Sequence, residues 1–295
     1  MSDRPPAAPP RFSVVVPTCR RNDSLARCLQ RLAPGAQTLP ASEYEVIVSD
    51  DGPDNGNARL LVERDFPWAR WARGPQHGPG QNRNSGAKQA RGKWLAFCDD
   101  DCLPEPGWLA GFAARVDART HDNAPRVFEG RITSDTGGEP MSLQPTAPIN
   151  EEGGLLWSCN FAIERRLFQE MGGFDEGFPY PYFDLEDVDF RLRLDDRGEK
   201  YPFVPAASVD HPPRPVAPLL NVVRSQEAAW YLARKRGVKV AQIGPRPMAY
   251  LRIYVHGLRR VRGLKDFLWV NWRHLGQPLL MLAYLPYWRR KYPAR

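Results

Sequence analysis

The sequence predicts an α/β fold: a mostly parallel, doubly wound sheet, continued by an α+β half and followed by a helical tail. Three observations predict it. Between residues 12 and 98, short apolar runs alternate with segments of helical period. After about residue 120 the alternation gives way to extended runs, a long loop and an acidic helical stretch. From Gln242 onward, basic and apolar residues interleave at helical spacing.

Phe12 to Val16 (FSVVV) is an apolar run closed by Pro17 and reads as a buried strand. Asn22-Asp23-Ser24 supplies side-chain oxygens for an N-cap, and Leu25, Cys28, Leu29 and Leu32 follow at helical spacing. Tyr44 to Ser49 reads as a second strand, ending at Asp50-Asp51-Gly52, with a helix expected around Ala58 to Arg64. Trp68 to Arg73 reads as a third strand and Gln81 to Arg91 as a helix. Trp94 to Cys98 reads as a fourth strand that runs into Asp99-Asp100-Asp101. In parallel sheets of this kind, ligands bind beyond the carboxyl ends of the strands. Pro17-Thr18-Cys19, Asp50-Asp51 and Asp99-Asp100-Asp101 are therefore expected on one rim, with two acidic clusters facing one crevice.

Arg126 to Thr133 reads as a further strand. Ser134 to Gly154 is a Gly- and Pro-containing loop, long enough to signal function. Trp157 to Ile163 reads as extended, and Glu164 to Met171 as a helix broken by Gly172-Gly173-Phe174-Asp175. Leu185 to Arg197 is acidic and helical in period, and Val204 to His211 is a closing strand.

The chain has 295 residues, 42% apolar and 25% charged, ordinary for a globular protein and unlike a disordered, collagenous or coiled-coil chain. No run of 18 apolar residues exists, so no spanning helix is expected. Met1 to Arg11, rich in Pro and Ala, reads as a disordered lead without the apolar core of a signal peptide. Five cysteines, Cys19, Cys28, Cys98, Cys102 and Cys159, form no C-x-x-C pair. This counts against a zinc site or disulfide framework and fits a reducing, cytoplasmic setting. The net charge of +7 is unevenly spread. From Gln242 to the end there are eleven Lys or Arg and one acid, whereas the rest holds 30 basic and 33 acidic residues. A nearly neutral body with a basic tail is not a uniform nucleic-acid coat.

Asp99-Asp100-Asp101 carries the sharpest chemical signal. Two carboxylates about 4 Å apart repel by about 1 kcal/mol in water and roughly 4 kcal/mol at an effective dielectric of 20. A divalent cation would offset this, and hard cations choose carboxylate oxygen. The alternative is a solvated turn whose Asp caps the helix after Pro104. Asp50-Asp51-Gly52 reads either as an Asx-type turn or as an acceptor for a base edge or ribose hydroxyl. Glu186-Asp187-Val188-Asp189 opens a helix, where acids oppose the dipole favourably, but a carboxylate there also suits a general base. His211 stands at a strand end as a structural residue or a ligand.

In order along the chain, FSVVVPTCRR, VIVSDDG, QNRNSGAKQARGKWLAFCDDDC, GGFDE, LEDVDFRLR and VDH resemble the motifs of the family 2 glycosyltransferases, over Phe12 to His211. The resemblance implies a GT-A, Rossmann-like fold and inverting transfer from a nucleotide-sugar, most simply a UDP-sugar, to an acceptor hydroxyl. It implies a nucleotide-sugar half over 12–120, an acceptor-binding and catalytic half over 121–215 and a basic tail over 216–295, after the lead 1–11. Pro17, Cys19 and Arg20 would lie at the nucleotide, Asp51 would meet the uracil ring and Arg83 would order the pocket. Asp99 and Asp101 match the D-x-D motif. Asp99 or Asp100 would hold the ribose, and Asp101, with Asp99 and His211, would hold Mn²⁺ or Mg²⁺. Asp187 would be the catalytic base, with Glu186 as the second candidate. Cys19 stands where an aromatic residue is frequent, and Pro53 replaces a common Ser. No Q-x-x-R-W motif follows His211, which favours single-sugar transfer over processive synthesis.

In the tail, Leu251, Tyr254, Val255, Leu258 and Val261 recur at helical spacing, as do Leu264, Phe267, Leu268, Trp272 and Leu275. Leu279 to Trp288 is apolar and expected to be broken by Pro286. A basic amphipathic pair of helices over 245–295 fits an anionic membrane surface, where a lipid-linked or glycan acceptor would be found. It equally fits a helical cap packed on the catalytic domain. Two other functions compete: a sugar-nucleotide nucleotidyltransferase, whose Gly-rich first loop is missing from Pro17-Thr18-Cys19-Arg20-Arg21, and a non-catalytic nucleotide- or carbohydrate-binding module.

Overall fold

The computed structural model describes residues 8–53, 57–121, 123–134, 148–179, 185–213, 217–243, 254–255, 257–259 and 261–293. The first seven residues of the lead, most of the loop after Ser134, and Leu251, Arg252, His256 and Arg260 of the tail lie outside them.

The strands are β1 (Phe12–Thr18), β2 (Tyr44–Asp50), β3 (Arg70–Arg73), β4 (Trp94–Cys98), β5 (Leu103–Pro104), β6 (Val127–Thr133), β7 (Asn160–Glu164) and β8 (Phe203–Asp210). They form one sheet in the order β3-β2-β1-β4-β7-β6-β8-β5. β1, β2, β3 and β4 are parallel to their neighbours within that half. β7 runs antiparallel to both β4 and β6, β6 and β8 are parallel, and β5 is antiparallel to β8. The sheet is mixed and mostly parallel, as the alternation of periods predicts.

The helices of this half are α1 (Asn22–Leu32), α2 (Asn57–Asp65), α3 (Pro79–Lys88), α4 (Trp108–Asp117), α5 (Arg165–Glu170) and α6 (Glu186–Asp196). Strand alternation assigns them to two faces. Val14 and Val16 point to a core shared with Leu25, Cys28, Leu29 and Leu32 of α1 and with Trp108 and Phe112 of α4. Val15, Ile47 and Phe97 point to the opposite core, with Ala87 of α3, Phe168 of α5 and Phe190 of α6. Phe97 stacks on Phe161 at 4.9 Å, and Phe174 lies 5.0 Å from Phe190. Both faces of the parallel strands are thus covered, which is why their sequences are continuous apolar runs.

Some boundaries differ from the sequence reading. α1 begins at Asn22 after Arg21, and no side chain caps it; the expected N-cap residues lie inside its first turn. Trp157, Ser158 and Cys159 precede β7 instead of forming it. α3 ends at Lys88, before the predicted Arg91. Gly172 and Gly173 take φ of 72° and 68°, so the glycine pair supplies the left-handed turn that ends this helical stretch.

Two compact units divide the chain. The first contains every strand among the described residues and runs to Pro212; the second contains the described helices from Leu219 onward. In it, α7 (Leu219–Ser225), α8 (Glu227–Arg236) and α9 (Leu264–Lys291) make a helical cluster. Trp230 stacks on Trp288 at 6.0 Å, and Glu227 receives Lys291 Nζ at 2.6 Å and Tyr292 OH at 3.0 Å. α9 is continuous through Pro278 and Pro286, so the predicted break at Pro286 does not occur. The rings remove two N–H donors, to the carbonyls of His274 and Leu282, while flanking packing keeps the helix together.

Candidate active site

Parallel pairing sets Thr18 beside Asp50 and carries the ends of β1, β2 and β4 to one rim. Thr18 Oγ1 donates to Asp100 Oδ2 at 2.7 Å, joining two of those ends directly. Asn82, in α3, donates to the Ser49 carbonyl at 2.8 Å and the Thr18 carbonyl at 3.3 Å, pinning the rim from above the sheet.

Asp51 accepts backbone N–H groups from Gln76 at 2.9 Å and Gly78 at 2.8 Å. Burial pushes its carboxyl up, against the opposing pull of those hydrogen bonds. The His77 backbone N–H acts on it as well, so one acceptor site remains on the carboxylate. Gly74 fits because a Cβ there would collide with Asp51 and Asn82. Cys19 is exposed beside Asp51; partial burial and that carboxylate raise its thiol, so it is no activated nucleophile. Arg20 takes φ of 58°, which swings the chain past the rim between Cys19 and Arg21.

The three adjacent acids are separated by their partners. Asp99 is held by Arg83 Nη2 at 2.5 Å. Asp100 is fully buried, pairs with Arg21 Nη2 at 2.7 Å and is pushed up to about 7 by burial, which outweighs Arg21 and Thr18. Asp101 takes Arg21 Nη1 at 2.8 Å. The repulsion that the sequence assigns to a cation is therefore partly met by two guanidinium groups. Arg83 also reaches Glu186 Oε1 at 3.0 Å, so among the described residues these four carboxylates share two guanidinium groups.

His211 supplies a more specific signal. β5 pairs with β8 through Leu103 opposite Asp210, which brings the residues just before Leu103 to the residue just after Asp210. Asp101, Cys102 and His211 consequently present ligand atoms all within 4.8 Å of one another. His211 Nδ1 lies 3.0 Å from the Pro212 carbonyl, an acceptor, so Nδ1 carries the proton. Nε2 then carries the lone pair; it is buried, has no hydrogen-bond partner among the described residues, and sits 3.5 Å from Asp101 Oδ1. That is the tautomer and second-sphere contact of a metal-ligating imidazole. A carboxylate with an imidazole fits Mn²⁺ better than Mg²⁺. Asp99, spoken for by Arg83, is not among the converging groups.

Glu186 and Asp187 open α6 with different surroundings. Glu186 is buried against Arg83. Asp187 is half-buried, accepts the Val188 N–H at 2.7 Å and faces the Ser158 N–H at 3.5 Å. Sequence reasoning missed Arg21, Thr18, Asn82 and Cys102 as members of this site. Arg21 and Thr18 lie inside the stretch it singled out, and Cys102 directly follows the acids, but only strand pairing shows what each one meets.

The family model described as glycosyl transferase family 2 matches residues 13–172. Over 244 residues the chain is 27% identical to the glycosyltransferase AglE of Haloferax volcanii, covering 76% of each chain. It is 24% identical to the GalNAc(5)-diNAcBac-PP-undecaprenol beta-1,3-glucosyltransferase of Campylobacter jejuni over 183 residues, spanning 57% of this chain and 56% of that one. The crystal structure of S. aureus TarS 1-349 in complex with UDP-GlcNAc superposes with a TM-score of 0.61 at 22% identity, covering 95% of this chain and 79% of that one. This likeness is one of fold.

Proposed function

Because the chain belongs to glycosyl transferase family 2 and is a glycosyltransferase, we propose that it moves one sugar from a UDP-sugar to an acceptor hydroxyl by metal-dependent, inverting displacement. The observation that carries the metal-dependent reading is Nε2 of His211, buried without a hydrogen-bond partner among the described residues and facing Asp101. Asp101 and His211 would hold Mn²⁺ or Mg²⁺, which when bound supplies Lewis-acid stabilisation of the leaving diphosphate. Asp51 offers its remaining acceptor site to the base, and Asp100 and Thr18 shape the floor beside the ribose. Asp187 takes the acceptor proton as the hydroxyl attacks the anomeric carbon opposite the diphosphate. Glu186 is a poor base because Arg83 holds its carboxylate. Arg83 is a positioning residue that ties Asp99, at the donor side, to the start of α6.

The acceptor class proposed is a glycan or lipid-linked saccharide of a surface polysaccharide or glycolipid. One relative's name specifies an undecaprenol-linked acceptor, which supports the lipid-linked alternative, and contact of residues 245–295 with an anionic membrane surface belongs to the same proposal. A thermal-shift panel of UDP, GDP, dTDP and CMP, each with and without Mn²⁺, tests the donor reading. Ligand at about 100 times its dissociation constant stabilises by about 2.7 kcal/mol. A Mn²⁺-dependent shift with UDP that disappears in Asp101→Ala and His211→Ala is the expected result. A UDP shift indifferent to Mn²⁺ removes the metal, and no shift with any nucleotide returns the binding-module reading.

A further inference from the structure

α9 is apolar on two sides, and only one of them is covered. Val270, His274 and Trp288 are buried within the helical unit. On the other side Leu264, Leu268, Trp272, Leu275, Leu279 and Leu282 follow at steps of four, four, three, four and three, and each is between 56% and 73% exposed. From Phe267 to Tyr287 every exposed position of the helix is apolar, including Pro278 and Pro286. This strip runs about 30 Å at the rise of an α-helix. A solvated helix face would carry charge there, and an apolar strip of that length marks an interaction surface. Exposed basic residues bracket it, with Arg262 and Lys265 before and Arg289 and Arg290 after.

We propose that this face of α9 docks in the plane of an anionic lipid bilayer, with the leucines and Trp272 entering the acyl boundary and the two basic ends meeting the phosphate headgroups. The charge pattern selects this occupant. Both ends of the strip are basic, so a second copy of the helix, parallel or antiparallel, would bring like charges together at each end. An anionic surface neutralises both ends at once. The helix lies on the surface instead of crossing it: among the described residues no helix is long and apolar enough to span a membrane. The inference rests on the membrane-acceptor reading only for its biological purpose; the surface itself is argued from exposure and charge.

The test is cosedimentation of the full chain with vesicles of mixed phosphatidylglycerol and phosphatidylcholine, against pure phosphatidylcholine, at low and high salt. The wild type is expected to pellet with the mixed vesicles, more weakly at high salt. The Leu275→Asp/Leu279→Asp variant, which changes exposed positions, should partition roughly ten-fold or more weakly. Arg289→Gln/Arg290→Gln should lose the preference for phosphatidylglycerol. An unchanged melting curve for both variants shows that they fold. Asp187→Asn should pellet like the wild type, so failure of the transfer reading and failure of docking are read separately. Docking is overturned if the wild type pellets with neither vesicle, or if Leu275→Asp/Leu279→Asp pellets as well as the wild type. It is also overturned if gel filtration shows a dimer that this variant dissociates while vesicles bind neither form, because a second copy then covers the face.

Discussion

Arg83 is 4% exposed in its side chain and joins Asp99, after β4, to Glu186, at the start of α6. Both acids raise its pKa against the opposing cost of burial, and its guanidinium also stands 5.7 Å over the Phe174 ring. Removing one partner of a buried pair typically costs about 3–5 kcal/mol, since the remaining charge stays desolvated. Arg83→Met is therefore expected to lower the urea-unfolding free energy by about that much. Asp187→Asn and Glu186→Gln separate the two acids of α6. Loss of a general base costs about 10²–10⁴ in kcat, so Asp187→Asn should lose that much while titration calorimetry shows UDP binding intact. Glu186→Gln keeps an acceptor for Arg83 and should retain most of kcat; the reverse pattern would exchange the roles. At this scale the sequence shows which residues are chemical and hides which are already satisfied. Three consecutive acids advertise a cation, but Arg21 comes from the residue before α1 and Arg83 from α3, and no local spacing reveals that they arrive.

Glu129, buried in β6, organises the segment that leads into Trp157 and β7. It accepts from Asn150 Nδ2 at 2.7 Å, Gly154 N at 2.6 Å and Leu155 N at 2.8 Å, and also from Leu156 N. Leu156 has φ of 47°, a strained left-handed value for a leucine that this carboxylate helps to hold. Each buried donor left without a partner costs about 1–3 kcal/mol. Glu129→Ala should therefore speed limited proteolysis within 150–156 before global unfolding begins. The existence and type of most elements were legible, because β1, β2 and β4 are short apolar runs bounded by turn residues and α1 carries a strong helical period. The ends were less legible: α1 starts without a side-chain cap, and Pro286 does not break α9, because packing outweighs local propensity there. His274 in α9 gives the helical unit a pH signature. Burial, and then Arg273, lower its pKa, so the native state holds it neutral. That stability is present above the unfolded pKa of about 6.5 and is lost as pH falls through the lower native value. The urea midpoint of the tryptophan-rich helical unit should drop below pH 6.5, and His274→Gln should flatten that dependence.

The whole chain joins two compact units of opposite character. The sheet unit buries two apolar cores on the two faces of its strands. The helical unit is held by aromatic stacking of Trp230, Tyr284 and Trp288 and by the Glu227 cluster. The sequence shows the charge asymmetry and the amphipathic period of the tail, but α9 is apolar on two sides, so only burial tells which side is covered. The functional reading places donor chemistry in the sheet unit, where Asp51, Asp101 and His211 all lie. The pH-sensitive histidine belongs to the helical unit. Two perturbations should therefore separate the two transitions in calorimetry. UDP with Mn²⁺ at about 100 times the dissociation constant should stabilise the sheet unit by about 2.7 kcal/mol and leave the helical transition in place. Lowering the pH from 7 toward 5.5 should lower the helical transition through His274, whereas Asp100, pushed up to about 7 in the native state, takes up a proton there and moves the sheet transition the opposite way. A single transition that moves under both perturbations would mean that the units unfold as one cooperative block, and that donor binding is felt energetically in the unit carrying the α9 face.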